Sequence, residues 1–331
     1  METSIVDVII GMQYGDEGKG KIANQLAATG NYDYVIRFNG GGNAGHTIYL
    51  NGQKIITHLV PCGLLHNKVS VIGPGCVLNI DKFFEELEYL KNLGFDTSLV
   101  KVAKNCHIVT EKHIEEDSQD VKIGTTKTGN GPCYSDKFAR TGIRAESCPE
   151  LTPFLVDMQR LIHMEPARFL AEGAQGYWLD IDYGDYPYVT SSNIGVGAVL
   201  NNGFNHKQIN KVIGVSKCYS TYVGNKIYSD KNDTFDLLRE LGEEYGATTG
   251  RPRQINWLDI FDVVKGCNAN GVDKLIINKM DVYRQTGAQW KFIDVHKIHE
   301  FDEEESFIAM FTAVMNQMLP NMEVEFQGSP E

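Results

Sequence analysis

Apolar runs recur along the chain, the first four closing on glycine-rich turns: "IVDVIIG" from Ile5, "VIRFNGGGNAGHT" from Val35, "VSVIGPG" from Val69, "ARFLAEGAQG" from Ala167, "KVIGVSKCYS" from Lys211 and "DKLIINKMD" from Asp273. Continuous hydrophobic stretches of this kind predict buried parallel strands rather than half-exposed ones. Between them the period changes. "DKFFEELEYLKNLG" predicts an amphipathic helix with Phe83, Phe84, Leu87 and Leu90 on one face, and further helices are expected around 149–164, 232–242 and 258–268. Strands alternating with helices predict an α/β fold with a mostly parallel, doubly wound sheet, whose ligands sit at the carboxyl ends of the strands. No repeat, linker or low-complexity tract interrupts the pattern, so a single domain spanning 1–331 is expected. The loops around 120–148, 183–198 and 243–256, rich in Gly, Thr and Arg, are too polar for core and predict ordered functional loops.

A length of 331 residues with 42% hydrophobic content is enough for one large α/β domain or two smaller ones. The N-terminus lacks a basic region, and no run reaches the 18 or so apolar residues of a membrane helix, so a cytoplasmic protein without a membrane partner is expected. Seven cysteines without C-x-x-C spacing read as reduced thiols and argue against zinc. The net charge of −12 argues against a nucleic-acid partner. Against that acidic background, Arg140, Arg144, Arg251 and Arg253 fall in two short motifs. They suit anion capture, or ordinary solvated charge.

The segment "GDEGKGK", Gly15–Lys21, fits the G-x-x-x-x-G-K phosphate loop, but Ile22 stands where Ser or Thr would hold Mg²⁺. Its backbone N–H groups and Lys19 or Lys21 suit phosphate; a tight strand–helix turn with a solvated acidic pair would read the same way. A carboxylate at Asp16, beside bound phosphates, is able to ligate Mg²⁺ or to take a substrate proton. "GGGNAGHT" places His46 in a second glycine loop at the same sheet edge. "NKMD", Asn278–Asp281, is the N-K-x-D pattern in which an Asp carboxylate accepts two guanine N–H groups and the Lys stem covers the base. "GATTGRPR", Gly246–Arg253, offers hydroxyls and two arginine forks for a small acidic substrate, or is a charged surface loop.

With "QYGDEGKGK", "NAGHT", "HLVPCG", "IGTTKTGNGP", "EGAQG", "DYPYVTSSN", "GATTGRPR", "NWLD" and "NKMD" in order, the chain resembles the adenylosuccinate synthetase family along almost its whole length. The resemblance implies a homodimeric purine-biosynthesis ligase that joins L-aspartate to C6 of a 6-oxopurine nucleoside monophosphate, with Mg²⁺ and GTP or ATP as phosphoryl donor. It implies Asp16 as the base at purine N1, which turns O6 into a nucleophile towards the γ-phosphate. His46 then stabilises the transferring phosphoryl group, Gln175 joins them as a catalytic residue, and Asp16 and the Gly45 carbonyl hold Mg²⁺. The monophosphate falls to Asn43, Thr126, Gln175, Thr190 and Arg251, with Arg140 supplied by the partner subunit. Thr248, Thr249, Arg251 and Arg253 would grip aspartate. Glu17, Gly18, Lys19, Gly20, Lys21, Thr47, Arg253, Lys279, Asp281, Gly328 and Ser329 would bind the triphosphate.

Departures from the family bear on the purine. Tyr14 stands for a tryptophan, Gly42 for a frequent histidine, Tyr222 for an arginine and Pro252 for a basic residue, while "NKIYSDKND" rewrites the ribose-side segment. The chain also ends soon after the base-covering loop. These features favour the compact phage-type branch, which acts on dGMP or GMP to give N6-succino-2-amino-(deoxy)adenylate in the host cytoplasm. Retained Asp16 and "NKMD" favour the alternative, IMP with GTP. A catalytically degenerate nucleotide-binding regulator is a third reading, opposed by retention of Asp16, His46 and Gln175.

Overall fold

The computed structural model describes residues 3–29, 31–50, 52–229, 231–246 and 249–328. Nine parallel strands form its main sheet: β1 (Ile5–Gly11), β2 (Tyr34–Arg37), β3 (Val69–Ile72), β4 (Val100–Ala103), β5 (Leu155–Val156), β6 (Arg168–Gly176), β7 (Ile209–Lys217), β8 (Lys274–Asn278) and β9 (Glu323–Phe326). Their order across the sheet is β9-β8-β7-β1-β6-β2-β3-β4-β5. β1 is the middle of the fold. It pairs with β6 on one side and β7 on the other, and Val6, Val8, Ile9 and Ile10 are wholly buried. Complete burial on both faces is why these strands read as unbroken apolar runs.

A register shift between Ile9 and Gly11 brings Gly11 opposite Gly176. The phosphate loop after β1 and the Gln175 turn at the end of β6 therefore leave the sheet side by side, at the point where the winding direction changes. Helix α1 (Lys19–Ala28) starts directly from the loop, with Gly18 as its left-handed N-cap (φ 91°).

Three details differ from the sequence pattern. In α2 (Ile80–Asn92), Phe83, Leu87 and Leu90 are buried, but Phe84 is 37% exposed at the margin of the stripe, touching Phe83 and Phe154. The helix expected around 149–164 is broken: a 3-10 turn, Pro149–Phe154, runs into β5 before a short helix, Met158–His163. Pro153 withholds an N–H from helix continuation, and Leu155 pairs instead with Val102 at the sheet edge. The run "KVIGVSKCYS" divides at Cys218, where the chain leaves the main sheet and Tyr219–Tyr222 joins a separate four-stranded sheet with Gln254–Asp259, Trp290–Asp294 and Lys297–Phe301. No helix among the described residues is long and apolar enough to cross a membrane.

Candidate active site

A cavity of about 460 Å³ opens at the carboxyl ends of β1, β2, β6 and β8. Its floor is the phosphate loop, where the two acids diverge. The Glu17 side chain turns inward, wholly buried: Oε1 accepts the N–H groups of Gln13 (3.1 Å) and Gly15 (2.9 Å), and Oε2 takes Lys19 Nζ at 2.5 Å. Its carboxylate is thus an internal brace of the loop. A Cβ on Gly11 or Gly176 would collide with it at 2.3 and 2.2 Å, so glycine at both positions makes room for the brace. Asp16 points the other way, into the cavity, with Oδ2 2.9 Å from Arg253 Nε.

Opposite stands His46, first residue of the strand His46–Leu50. Its Nδ1 lies 2.5 Å from Glu172 Oε1 and 3.2 Å from Arg37 Nη1, while Arg37 Nη1 also donates to that carboxylate oxygen at 3.0 Å and Cys62 N donates to Oε2 at 2.9 Å. Burial pushes the Glu172 carboxyl up, and the His46 and Arg37 contacts more than reverse this, holding it at about 2. Burial and the Arg37 cation lower the His46 pKa. The ring is therefore neutral at pH 7, with Nδ1–H assigned to the carboxylate and Nε2 left for a ligand. Neither Arg37 nor Glu172 was singled out from the sequence. Their signal was a charged residue inside an apolar strand, in "VIRF" and "FLAEGAQG".

Gln175 sits in the left-handed region (φ 58°), as do Asp16 (60°), Lys279 (68°) and Arg140 (66°). Non-glycine residues held there carry strain, and such strain clusters at ligand sites. Gln175 Nε2 donates to Asn43 Oδ1 at 3.1 Å, and Oε1 is buried without a hydrogen-bond partner among the described residues. Thr126, whose hydroxyl meets that of Thr128 at 3.0 Å, lines the same wall with Thr190. Across the cavity mouth, Arg251 Nη2 donates to the Gly124 carbonyl at 2.9 Å and its Nε to Thr249 Oγ1 at 3.2 Å.

On the β8 side, Asn278 Nδ2 donates to the Glu17 carbonyl at 2.9 Å. Lys21 donates to the Gly328 carbonyl and Lys279 to that of Gly242, so the C-terminal segment closes over the loop. Asp281 Oδ1 is buried and unpartnered among the described residues. Gly18, Gly20, Gly45, Thr47, Lys279 and Gly328 also face the cavity. Two expected residues do not: Asp281 lies behind the wall, and Arg140 is exposed at the far end of α3 (Asn130–Ala139), about ten residues or roughly 15 Å from the helix start that meets the cavity. Thr248 and Ser329 fall outside the described residues.

The profile of the adenylosuccinate synthetase family matches residues 8–149 and 145–327. The chain belongs to the adenylosuccinate synthetase family. It is accordingly a carbon–nitrogen ligase. Among relatives of this family, the adenylosuccinate synthetase of Thermodesulfovibrio yellowstonii is 40% identical over 330 residues, covering 83% of this chain and 77% of its own length. That of Thermus thermophilus is 38% identical over 321 residues, covering 83% and 78%. The structure of fully ligated adenylosuccinate synthetase from Plasmodium falciparum superposes with a TM-score of 0.85 at 30% identity, covering 98% of both chains. The succinoaminodeoxyadenylate synthetase of cyanophage S-2L, solved with dGMP and dATP, shares the fold at a TM-score of 0.75 and 22% identity, covering 98% of this chain and 92% of that one.

Proposed function

We propose that this family member joins L-aspartate to C6 of inosine monophosphate, with GTP as phosphoryl donor. The observation that carries this reading is the buried Asp281 Oδ1, partnerless among the described residues, in the first turn of the helix that follows β8 (Met280–Gln285) and next to Gly328, which with Lys279 lines the cavity. An unsatisfied buried carboxylate oxygen awaits donors, and the N1–H and 2-amino groups of guanine are a matched pair. Gln175 Oε1, likewise without a partner among the described residues and beside the phosphate loop, suits a donor from the purine acceptor. The named relatives at 38–40% identity are adenylosuccinate synthetases.

In this reading Asp16 takes the N1 proton, which places negative charge on O6 and makes it nucleophilic towards the γ-phosphoryl group. His46 Nε2 faces the group in transfer, and the anion's arrival favours protonation of a ring already backed by Glu172. Phosphorylation turns a poor leaving oxygen into a good one; the aspartate amine then displaces it at C6, with phosphate leaving. Arg251 and Arg253 hold the aspartate carboxylates, with Thr248 and Thr249. The Asp16 carboxylate and the Gly45 carbonyl are hard oxygen donors that both line the cavity and suit Mg²⁺, whose other ligands would be phosphate oxygens. Bound there, the ion would neutralise developing phosphate charge.

Arg140 cannot reach its own cavity from the far end of α3, and exposed Phe138 and Ile143 flank it. A homodimer in which it enters the partner's monophosphate site accounts for both facts. A second reading, dGMP as acceptor, draws on one observation. Tyr14, Tyr222 and Tyr228 pack together, with ring centroids 5.0–5.8 Å apart, where the family's tryptophan and arginine would stand. An aromatic wall of this kind suits a sugar lacking its 2′-hydroxyl. Initial rates with aspartate and Mg²⁺ across IMP, GMP and dGMP, each with GTP and ATP, decide between them; a higher kcat/KM for dGMP than for IMP overturns the first reading.

A further inference from the structure

Behind the cavity wall lies a chain of buried charge that the proposed chemistry does not use. Lys217, the last residue of β7, and Glu244 are both 0% exposed, and neither lines the cavity. Glu244 Oε1 accepts Lys217 Nζ at 3.0 Å and the Tyr219 hydroxyl at 2.7 Å; Lys217 Nζ also reaches Thr221 Oγ1 at 2.7 Å. The other carboxylate oxygen, Oε2, accepts Arg253 Nη1. Arg253 therefore has Glu244 at its back and Asp16 in front.

The backbone repeats the clamp. Arg253 N donates to the Glu244 carbonyl at 2.9 Å, Tyr245 bridges to Pro252, and Arg239 Nε donates to the Arg253 carbonyl at 2.9 Å. The loop that carries Thr249 and Arg251 is thus pinched at its neck, with Glu244 on one strand of the neck and Arg253 on the other.

We propose that Glu244, with Lys217 as its counter-ion, is a positioning residue that fixes the Arg253 guanidinium in the aspartate site while touching no substrate itself. An unsupported arginine in a cavity of this size has many rotamers, and holding one of them is what a second carboxylate from behind supplies. Glu244 is a suitable anchor only because Lys217 stands on its far side. Burial would push the Glu244 carboxyl up, and Lys217 followed by Arg253 bring it down to about 2, so it is an anion at every working pH. One carboxylate between two cations leaves the trio with a single positive charge, and that charge faces Asp16 and the incoming anionic substrate. Exposed Glu243, its neighbour in sequence, has no such environment and, among the described residues, pairs with Lys54 at the surface.

This inference rests on the reading of Arg253 as an aspartate ligand, and the experiment separates the two. Removing Glu244 alone strands two buried cations, so the informative variant is Lys217→Met with Glu244→Gln, which deletes both charges together. Thermal melting checks its fold. Exchanging a charge-assisted anchor for a neutral one is expected to raise the aspartate KM about tenfold, with the monophosphate KM changed less than about twofold. A merely structural role would lower the melting temperature without that selectivity. Arg253→Met is measured beside it. A folded double variant with wild-type aspartate KM, where Arg253→Met raises it, overturns the positioning role and leaves the reading of Arg253 intact. A normal aspartate KM in Arg253→Met overturns both. Should the double variant not fold, Glu244→Asp decides: it keeps the charge but withdraws the carboxylate by one methylene, and an unchanged aspartate KM in it overturns the proposal.

Discussion

Asn278 Nδ2 donates to the Glu17 carbonyl at 2.9 Å, so the strand that ends in the N-K-x-D motif is bonded directly to the Gly15–Lys21 loop. The two halves of the proposed triphosphate site are thereby held in register. Asn278→Ala leaves that carbonyl without its donor, with an expected loss of about 1–3 kcal/mol in denaturant unfolding. The KM for the nucleoside triphosphate should rise with it while that for the monophosphate stays near wild type. Equal rises in both would show that the bond supports the cavity as a whole.

Asp16→Asn preserves size and removes basicity. With the best purine acceptor, kcat should fall by about 10²–10³ or more, the scale of lost general-base action. Near wild-type turnover would move the base elsewhere.

For Asp281, donor preference is the readout. Adenine lacks the 2-amino donor and offers no N1–H, so GTP should exceed ATP in kcat/KM by about tenfold or more. Asp281→Asn should erode that preference mainly through KM, since the contact is alike in ground and transition states. Equal use of both nucleotides by the unmodified enzyme would remove the guanine assignment.

The buried carboxylates set an acid limit on stability. Glu172 and Glu244 sit at about 2 in the folded protein against an ordinary 4.5. Depressed acids contribute stability that is fully present above the unfolded value and is lost as pH falls from about 4.5 towards 2, on the order of 3 kcal/mol each. His46, held low by burial, adds to the loss below its ordinary value, because the unfolded ring takes up a proton that the buried one resists. Melting temperatures should therefore hold near neutrality and drop steeply below about pH 4.5. A Glu172→Gln variant should be less stable at pH 7, with a shallower acid limb.

Subunit sharing is tested by mixing Asp16→Asn with Arg140→Leu, each inactive alone. Random exchange gives about a quarter of the sites both native residues, one site in each mixed dimer, and activity should recover to about that fraction. No recovery in verified mixed dimers would place Arg140 outside the partner's site.

The sheet was legible because burial on both faces writes a strand as an unbroken apolar run, and β1, β2 and β6 carried their glycine-rich exits with them. What stayed hidden depended on long-range partners. "GDEG" does not reveal which acid turns inward; that follows from Gln13, Gly15 and Lys19 meeting Glu17 in space. "EGAQG" gave Gln175 by resemblance, whereas Glu172 acquires its part only when β2 brings Arg37 alongside and Cys62 N arrives from another loop. "GEEYG" likewise hides a surface acid and a wholly buried one in adjacent letters. Helix 149–164 failed for a local reason, Pro153, joined to a distant one, the open edge of β4.

The bond from Arg251 Nη2 to the Gly124 carbonyl ties the loop proposed to grip aspartate to the loop leading into Thr126, where the monophosphate is expected. Two ligands that each order one side of such a tie cannot bind independently. Whatever factor the monophosphate adds to aspartate affinity, aspartate must return to the monophosphate, since linkage between equilibria is reciprocal. On the proposed substrates, synergy would run through this guanidinium–carbonyl contact, and severing it should make the two binding free energies additive.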